Sequence, residues 1–263
     1  MTQHLAELLM YVDPEPIRHA NERWLTRILE RLGSSRFDAT ELSLTDLSLS
    51  PHLLLTQTCG YPLMTALRGQ VRVIGRPRYE LPDSSGGSHC SLLLSRADDP
   101  RQTLPDFRDS RGVINDEDSN SGMNLLRHRL APLHRDGQFF ASVAISGSHR
   151  KSLRWLREDQ ADLAAIDSVT FAYLAHHARE EVAGLRVVAR SALSPTLPYI
   201  SAAGTSVEQA EHLRQVMNQT LSELPKVAQI LGIKEVLPAR EIDYQLVLDY
   251  EQEAQALGYG RLR

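Results

Sequence analysis

The sequence predicts an α/β fold with largely parallel sheets, and three features of the 263-residue chain lead to that prediction. Short apolar segments that suit strands alternate with segments in which apolar residues recur at helical spacing. Turns of small polar residues join several strands to the helix that follows, as in sheets with crossover helices. Apolar residues make up 42% of the chain, which is enough for the core of one large domain or two small ones.

The charge balance excludes a protein dominated by contacts with nucleic-acid backbones, because 29 Lys and Arg residues face 33 Asp and Glu residues and the net charge is −4. No apolar run approaches the ~20 residues of a membrane helix, so membrane insertion is not expected. The N-terminus lacks a basic segment and is interrupted by Glu7, which does not fit a secretory signal. We therefore expect a cytoplasmic protein as the sequence stands, or a periplasmic one if a signal has been lost.

Cysteine usage gives no sign of a metal site. Cys59 and Cys90 are the two cysteines of the chain, and neither belongs to a Cys-x-x-Cys pair. Both suit small buried hydrophobic positions, and the sequence does not decide whether they form a disulfide. We expect no metal ion and no other cofactor.

The elements of the first part of the chain follow from apolar patterns and helix boundaries. Asp13-Pro14-Glu15-Pro16 is typical of a helix start and Gly33 of a helix end. An apolar stripe at helical spacing between them predicts that Trp24 lies in the core. Strands are predicted at 6–12, 37–42, 53–56 and 71–75, and a short helix at 62–67.

The second part continues the same alternation. Residues 77–88 are rich in Pro, Gly and Ser, which predicts a loop or a crossing between domains. Strands are predicted at 91–95, 112–115, 163–166, 185–189 and 199–203. Helices are predicted after Ser119, from Ser148 to about 158, and at 169–183, 206–223 and 241–257.

One strand–turn–helix stretch, residues 141–153, has the composition of an anion-binding turn. An apolar segment is typical of a buried strand, Gly147 permits a tight turn, and Ser148 suits the N-cap of a helix. The first turn of a helix presents N–H groups without internal partners and the positive end of the dipole, so Ser146, Ser148 and His149 could hold an anion. An ordinary strand–helix junction explains the same residues.

Comparable polar residues follow other predicted strands. They are Tyr11, Gln57 with Thr58, Ser119-Asn120-Ser121, and Asp167 with Ser168. In open α/β sheets ligands bind beyond the carboxyl ends of the strands, so these residues are candidates for one binding site. Helix caps at Ser119 and Asp167, and half-buried packing of Tyr11, are the structural alternatives.

Four segments, in order along the chain, resemble motifs of the solute-binding proteins of phosphate- and phosphonate-type ABC transporters. They are 54–62, Asn115-Asp116 with Ser119-Asn120-Ser121-Gly122, Ser146-Gly147-Ser148-His149 with Ser152, and 161–168. The likeness spans about residues 8–197. The turn Ser119-Asn120-Ser121 departs from the Ser-Thr-Ser character common in phosphonate receptors.

The resemblance implies a periplasmic-binding-protein-like fold of type II, with mostly parallel sheets flanked by helices and a ligand cleft between two lobes. Lobe one would comprise 1–85 and 193–263, and lobe two 86–192. The chain would bind a small anionic or polar solute, phosphate- or phosphonate-like, without catalysis, and an ABC permease is the candidate partner. The implied ligand-binding residues are Tyr11, Gln57, Thr58 and Tyr61 in lobe one, and Asn115, Ser119, Asn120, Ser121, Gly122, Ser146, Ser148, His149 and Asp167 in lobe two.

Two other functions stay open at this point. A cytoplasmic ligand-sensing or accessory module on the same fold would account for the missing signal. An enzyme could use the same cleft, with His149, Asp167 or Cys59 in the chemistry. No Gly-x-Ser-x-Gly elbow, phosphate loop or dinucleotide fingerprint supports that second alternative.

Overall fold

A computed structural model of the chain describes residues 2–39 and 41–263. In these ranges the α-helices are α1 (Glu15–Arg31), α2 (Leu44–Leu49), α3 (Gly60–Met64), α4 (Leu125–Leu130), α5 (His149–Arg157), α6 (Ser168–His177), α7 (Val207–Glu223), α8 (Pro225–Leu231) and α9 (Gln245–Ala256). A π-helical turn, Asn120–Asn124, leads directly into α4. Within the same residues, no helix is both long and apolar enough to cross a membrane.

The strands in the described residues are β1 (Thr2–Ala6), β2 (Ser34–Arg36), β3 (Leu53–Gln57), β4 (Val71–Tyr79), β5 (Ser84–Ser85), β6 (Ser88–His89), β7 (Ser91–Arg96), β8 (Arg111–Ile114), β9 (Ser142–Ile145), β10 (Leu163–Asp167), β11 (Leu185–Arg190), β12 (Ser194–Pro195), β13 (Tyr199–Ala202) and β14 (Ile233–Leu237). They and the helices form two compact units, each with its own sheet.

Unit 1 contains the described residues up to Ser88 together with Pro195–Tyr244. Its sheet has the strand order β14-β4-β13-β3-β1-β2. Trp24 on α1 is fully buried, donates from Nε1 to Thr220 Oγ1 at 3.0 Å, and meets the Tyr199 ring edge-on. The prediction that Trp24 belongs to the core is confirmed.

Unit 2 contains His89–Ser194 and Gln245–Arg263. Its sheet has the order β11-β7-β10-β8-β9. The central strand β10 is buried along its whole length, and apolar side chains of α5 and α6, such as Leu153 and Leu174, pack with it in one core. Since β10 and β8 are parallel, their carboxyl ends lie at the same edge of the sheet, where Asp167 ends β10 and Asn115 follows β8.

The sheets are mixed, which corrects the expectation of mostly parallel pairing. β1, β2 and β3 pair in parallel, as do β8, β9 and β10, whereas β4, β7 and β13 pair antiparallel with their neighbours. A helix between two strands predicts parallel pairing only when that helix crosses between adjacent strands. The chain enters β7 and β13 through short strands and loops, so the alternation rule does not apply to them.

Two strand predictions are wrong in position, and one strand was not predicted. The first strand ends at Ala6 instead of running from 6 to 12, and β2 precedes the predicted 37–42 strand, of which Thr40 lies outside the described residues. β14 lies in a segment for which the sequence predicts only helices, because Lys234 and Glu235 interrupt its apolar pattern.

The C-terminal segment requires a further correction. The resemblance implies that everything after residue 193 belongs to lobe one, but residues 245–263 belong to unit 2. Arg127 of α4 explains why: it donates to the Gly260 carbonyl and pairs with Glu251 of α9.

The strand of the 141–153 stretch is also less buried than predicted. β9 forms the edge of its sheet and pairs only with β8 among the strands described, so Ile145 is 51% exposed. Its apolar composition indicated a strand correctly but could not distinguish an edge strand from a central one.

Candidate functional site

The structure divides the thirteen predicted site residues between the two units. Tyr11, Gln57, Thr58 and Tyr61 lie in unit 1, and Asn115, Ser119, Asn120, Ser121, Gly122, Ser146, Ser148, His149 and Asp167 lie in unit 2. That the two groups line one cleft stays a prediction. Each group is therefore described within its own unit.

In unit 1, the predicted polar residues at the end of β3 are engaged in the fold. Gln57 is buried and donates from Nε2 to the Leu197 carbonyl at 3.0 Å. The backbone N–H of Thr58 donates to the Pro198 carbonyl at 3.1 Å. These bonds fasten the end of β3 to the segment before β13, which gives both residues a structural role.

The two tyrosines of unit 1 differ in burial. Tyr11 lies five positions after β1 ends, is buried, and meets the Tyr79 ring edge-on with 6.3 Å between ring centres. Tyr61 is half-buried in the first turn of α3. Tyr11 therefore fits the packing alternative that the sequence left open.

In unit 2, a π-helical turn forms the centre of the candidate site. Ser119 is its N-cap: Oγ accepts from the Gly122 N–H at 2.9 Å, and the carbonyl accepts from the Asn124 N–H. At Gly122 an added Cβ would lie 1.7 Å from Asn115 Oδ1 and 3.1 Å from His149 Cε1. A side chain at this position would force the Asn115 amide to move, and the close approach brings Asn115, Gly122 and His149 together.

A network of hydrogen bonds among buried polar side chains holds this turn in place. Asn120 Nδ2 donates to Ser194 Oγ at 2.8 Å, and Asn124 Nδ2 donates to Asn120 Oδ1 at 3.0 Å. Arg127 donates in turn to Asn124 Oδ1 at 2.7 Å and pairs with Glu251. Asn120 is thus a structural member of the turn, and the network fixes the turn's position.

His149, at the first position of α5, contacts the turn directly. Its Nε2 and Ser121 Oγ lie 2.8 Å apart, in a hydrogen bond whose donor depends on the histidine tautomer. Part of the residue reaches the surface, but Nδ1 is fully covered and has no well-aligned hydrogen-bond partner among the described residues. Burial lowers the pKa of His149 and nearby His89 lowers it further, against the opposing effects of Asp167 and the Ala165 carbonyl.

Asp167 ends β10 and is 2% exposed. Oδ1 accepts from the Thr170 N–H at 2.9 Å and caps α6, while Oδ2 lies 2.9 Å from Nδ1 of the equally buried His89. Burial alone would raise the pKa of Asp167, but His89, His149 and the Thr170 N–H outweigh burial and lower it. Asp167 therefore remains a carboxylate in the interior.

The serines of the 141–153 stretch serve its turn. Ser148 Oγ accepts from the Lys151 N–H at 3.2 Å as the N-cap of α5. Ser146 Oγ lies 2.7 Å from Ser152 Oγ and donates to the Ser148 carbonyl at 2.9 Å. Gly147 has φ +90°, as its turn requires. In this stretch His149 is the side chain that faces the π-helical turn.

Several buried polar atoms of Asn115, His149 and His89 lack a well-aligned hydrogen-bond partner among the described residues. Among the residues described, ten fully covered side-chain N or O atoms lack a hydrogen-bond partner. Four of them are Asn115 Oδ1, His149 Nδ1, and both ring nitrogens of His89, whose Nδ1 is near Asp167 but poorly aligned with it. Unsatisfied buried polar groups are costly and rare in folded proteins, so their grouping marks a place for a ligand.

The arrangement differs from a hydrolase triad. Ser121, rather than the neighbouring Ser148, is the serine in contact with His149. A triad histidine is oriented by a carboxylate on Nδ1, but Asp167 uses its oxygens for Thr170 and His89. No group of three His, Cys, Asp or Glu side chains in the described ranges is arranged to hold a metal ion.

The sequence patterns do not single out His89, Asn124 or Arg127. His89 directly follows the segment 77–88, whose composition predicts a loop or crossing, and it lies 78 positions before Asp167. Asn124 and Arg127 stand in what resembles an ordinary helix after the cap. The sequence signal that could have identified them is the spacing of Asn124 and Arg127, which at i and i+3 lie on the same face of a helix.

Comparisons with known proteins identify the family. The sequence model of the family described as ABC transporter, phosphonate, periplasmic substrate-binding protein matches residues 51–244, more than half of the chain. No curated protein sequence matches the chain.

Solved structures agree in fold. The binding protein component of an ABC phosphonate transporter from Pseudomonas aeruginosa (PA3383) is 17% identical, with 98% of this chain and 88% of that chain covered and a TM-score of 0.79. PhnD1 from Prochlorococcus marinus, in complex with methylphosphonate, is 10% identical, with 97% and 98% covered and a TM-score of 0.74. XAC2383 from Xanthomonas citri, bound to chloride, is 15% identical, with 98% and 99% covered and a TM-score of 0.68.

These similarities confirm two predictions made from the sequence. The fold is that of the two-lobed periplasmic-binding-protein-like proteins of type II. The resemblance to phosphonate-type solute-binding proteins is confirmed by the family match. The chain belongs to the family of periplasmic substrate-binding proteins of phosphonate ABC transporters.

Proposed function

We propose that the chain binds a small phosphonate, without catalysis, at the cluster formed by Ser121, Gly122, His149 and Asn115 in unit 2. Its role is that of a substrate-binding protein that delivers the solute to an ABC permease in the periplasm. The family match supports this role, and the methylphosphonate complex of the similar PhnD1 structure supports the ligand class.

The single observation that carries the proposal is the contact between two helix starts. Ser121 in the π-helical turn before α4 and His149 at the start of α5 are hydrogen-bonded at 2.8 Å. The first turn of a helix offers unpaired N–H groups and a positive dipole end, both of which favour an oxyanion. Two such turns that meet at one point favour a phosphonate group more than either turn would alone.

The ionisation of the cluster suits this ligand. Because the pKa of His149 is lowered, its ring is neutral near pH 7. In the tautomer with hydrogen on Nε2, the neutral ring donates to Ser121 Oγ and the serine hydroxyl can donate to a phosphonate oxygen, whereas in the tautomer with hydrogen on Nδ1 the ring accepts from the serine at Nε2. Hydrogen bonds to a charged acceptor are the stronger kind in proteins.

Ser119, Asn120, Ser146, Ser148 and the four residues of unit 1 are assigned differently. Ser119 and Ser148 cap helices, Asn120 and Ser146 hold turns, and Gln57 and Thr58 fasten β3. We propose that these six act on the ligand through backbone position. Direct contact of Tyr11 and Tyr61 with the ligand stays a prediction.

Isothermal titration calorimetry tests the proposal. The purified protein should bind methylphosphonate, phosphite or phosphate with a dissociation constant well below 1 mM, and should bind sulfate more weakly. Turnover is not expected, so the ligand should be recovered unchanged after incubation. Failure to bind any of the three phosphorus oxyanions at 1 mM would contradict the proposed function.

A further inference from the structure

We propose that His89 determines which phosphonates the site accepts, by occupying the Asp167 carboxylate so that compact ligands without a cationic group are preferred. The inference rests on the proposed function and narrows its ligand class. His89 is a buried histidine that has no part in the proposed function. His89 and Asp167 are 1% and 2% exposed, and His89 Nδ1 lies 2.9 Å from Asp167 Oδ2 in the interior of unit 2.

Asp167 lies beside the proposed site. Its charge acts on His149, whose Nε2 contacts Ser121 Oγ in the π-helical turn. A buried carboxylate at this position is the group that a ligand carrying an ammonium would seek, because a buried ammonium needs an anionic partner. The state of Asp167 therefore bears on whether the site takes a phosphonate with a cationic substituent.

Both oxygens of Asp167 already have partners within unit 2. Oδ1 accepts from the Thr170 N–H at 2.9 Å as the cap of α6, and Oδ2 lies 2.9 Å from His89 Nδ1. A ligand ammonium would have to displace His89 or go unpaired. A methyl group or a hydrogen on phosphorus makes no such demand.

The position of His89 is fixed by the sheet. β7 pairs antiparallel with β10 so that Ser91 stands opposite Asp167, and Ser91 Oγ donates to the Ser121 carbonyl at 2.8 Å. His89 lies two positions before Ser91 in an extended segment, so it follows Ser91 toward the same side of the sheet. The register of β7 on β10 therefore places His89 beside Asp167.

The test compares methylphosphonate with 2-aminoethylphosphonate, which adds an ammonium, by calorimetry on the full chain. Wild type should bind methylphosphonate at least tenfold more tightly. His89→Ala removes the side chain that lies against Asp167 Oδ2 and should shift the ratio of the two dissociation constants at least tenfold toward 2-aminoethylphosphonate. The double variant with Asp167→Asn should lose that shift, since the asparagine can still cap α6 but carries no charge.

Two controls separate selectivity from stability and from net charge. His128→Ala removes another histidine paired with a carboxylate of unit 2, since His128 Nε2 lies 2.8 Å from Glu253 Oε2, and it should leave the ratio unchanged. Asp167→Asn alone keeps the test valid if His89→Ala does not fold. It should leave the ratio within twofold of wild type, because Asp167 is not available to the ligand.

The outcomes distinguish this inference from the proposed function. Equal or tighter wild-type binding of 2-aminoethylphosphonate overturns the role of His89 and leaves the proposed function standing. So does a tenfold loss of 2-aminoethylphosphonate affinity, relative to methylphosphonate, in Asp167→Asn. No binding of either ligand by wild type overturns the proposed function, and the inference with it.

Discussion

The two polar turns that the sequence presents as equivalents, Gln57-Thr58 in unit 1 and Ser119-Asn120-Ser121-Gly122 in unit 2, differ in what their polar atoms do. Gln57 Nε2 and the Thr58 N–H each donate to a backbone carbonyl of the segment before β13. In unit 2, Ser121 Oγ contacts a histidine whose other nitrogen lacks a well-aligned partner within the described residues. A polar residue after a strand is therefore not evidence of a site until its partners are known.

This difference separates supporting residues from residues able to bind. In unit 1 the turn fastens the end of β3 to the segment before β13, and its hydrogen bonds go to backbone carbonyls. In unit 2, Asn115 Oδ1 and His149 Nδ1 are covered and lack a well-aligned partner among the residues described, next to Gly122, where an added Cβ would meet Asn115 Oδ1. We expect substitutions at the turn of unit 2 to lower ligand affinity and substitutions at the turn of unit 1 to lower stability.

The largest expected effect is that of Gly122→Ala. The new Cβ would lie 1.7 Å from Asn115 Oδ1 and 3.1 Å from His149 Cε1, so the Asn115 side chain or the π-helical turn must shift and disturb the cluster. We expect methylphosphonate affinity to fall more than a hundredfold in calorimetry. Gly204→Ala in unit 1 is the control, because none of the described atoms lies within 4 Å of its added Cβ. Equal affinities of the two variants would contradict the site.

Ser121→Ala and Gln57→Leu form the second test. The serine loses a hydrogen bond to a charged ligand, worth about 1.5–3 kcal/mol, so affinity should fall about ten- to a hundredfold while the melting temperature stays close to wild type. The glutamine variant leaves the buried Leu197 carbonyl unpaired and should lose about 1–3 kcal/mol of stability. If Gln57→Leu weakened binding tenfold without loss of stability, the comparison between the units would fail.

The features that could be predicted from the sequence are those that depend on residues close together in the chain. The helix after Ser119, the cap at Ser148 and the core position of Trp24 depend on residues within a few positions, and the structure contains all three. Gly122 could be named as a candidate from its motif, but the sequence gives no reason why a larger residue there would disturb the turn. That reason is the Asn115 side chain, whose approach depends on how β8 leads into the turn.

Long-range pairing explains what the sequence could not predict. His89 reaches Asp167 because β7 and β10 are adjacent and antiparallel, and no local pattern encodes that register. The same limitation applies to β14, whose antiparallel partner β4 lies more than 150 residues earlier. The exposure of β9 depends on its place at the edge of the sheet, which its composition does not specify.

The third prediction concerns pH and sharpens the role of His149. Its pKa in the folded protein lies below the ordinary value of 6.5, so the unfolded chain binds more protons. The free energy of unfolding should therefore fall as pH drops below about 6.5, by at most about 1.4 kcal/mol per pH unit from this group. Asp167, with a pKa lowered from 3.8, loses its contribution only in more acidic solution.

Urea unfolding between pH 7.5 and pH 5 measures this effect. Wild type should lose stability more steeply than His149→Gln across that range. The pKa of His177 is also lowered by burial, but this residue is present in both proteins and cancels in the difference. Parallel curves for the two proteins would show that His149 is not desolvated in the folded state.

The smallest effect is expected for Ser148→Ala, which tests whether a predicted ligand residue acts only as a cap. Ser148 Oγ accepts from the Lys151 N–H, so its loss should cost about 1 kcal/mol of stability. Ser206→Ala in unit 1 removes the matching cap of α7, where Oγ accepts from the Gln209 N–H, and should cost a similar amount. Methylphosphonate affinity should stay within twofold of wild type for both variants. A tenfold loss confined to Ser148→Ala would place its hydroxyl on the ligand and extend the binding cluster from Ser121 along the turn before α5.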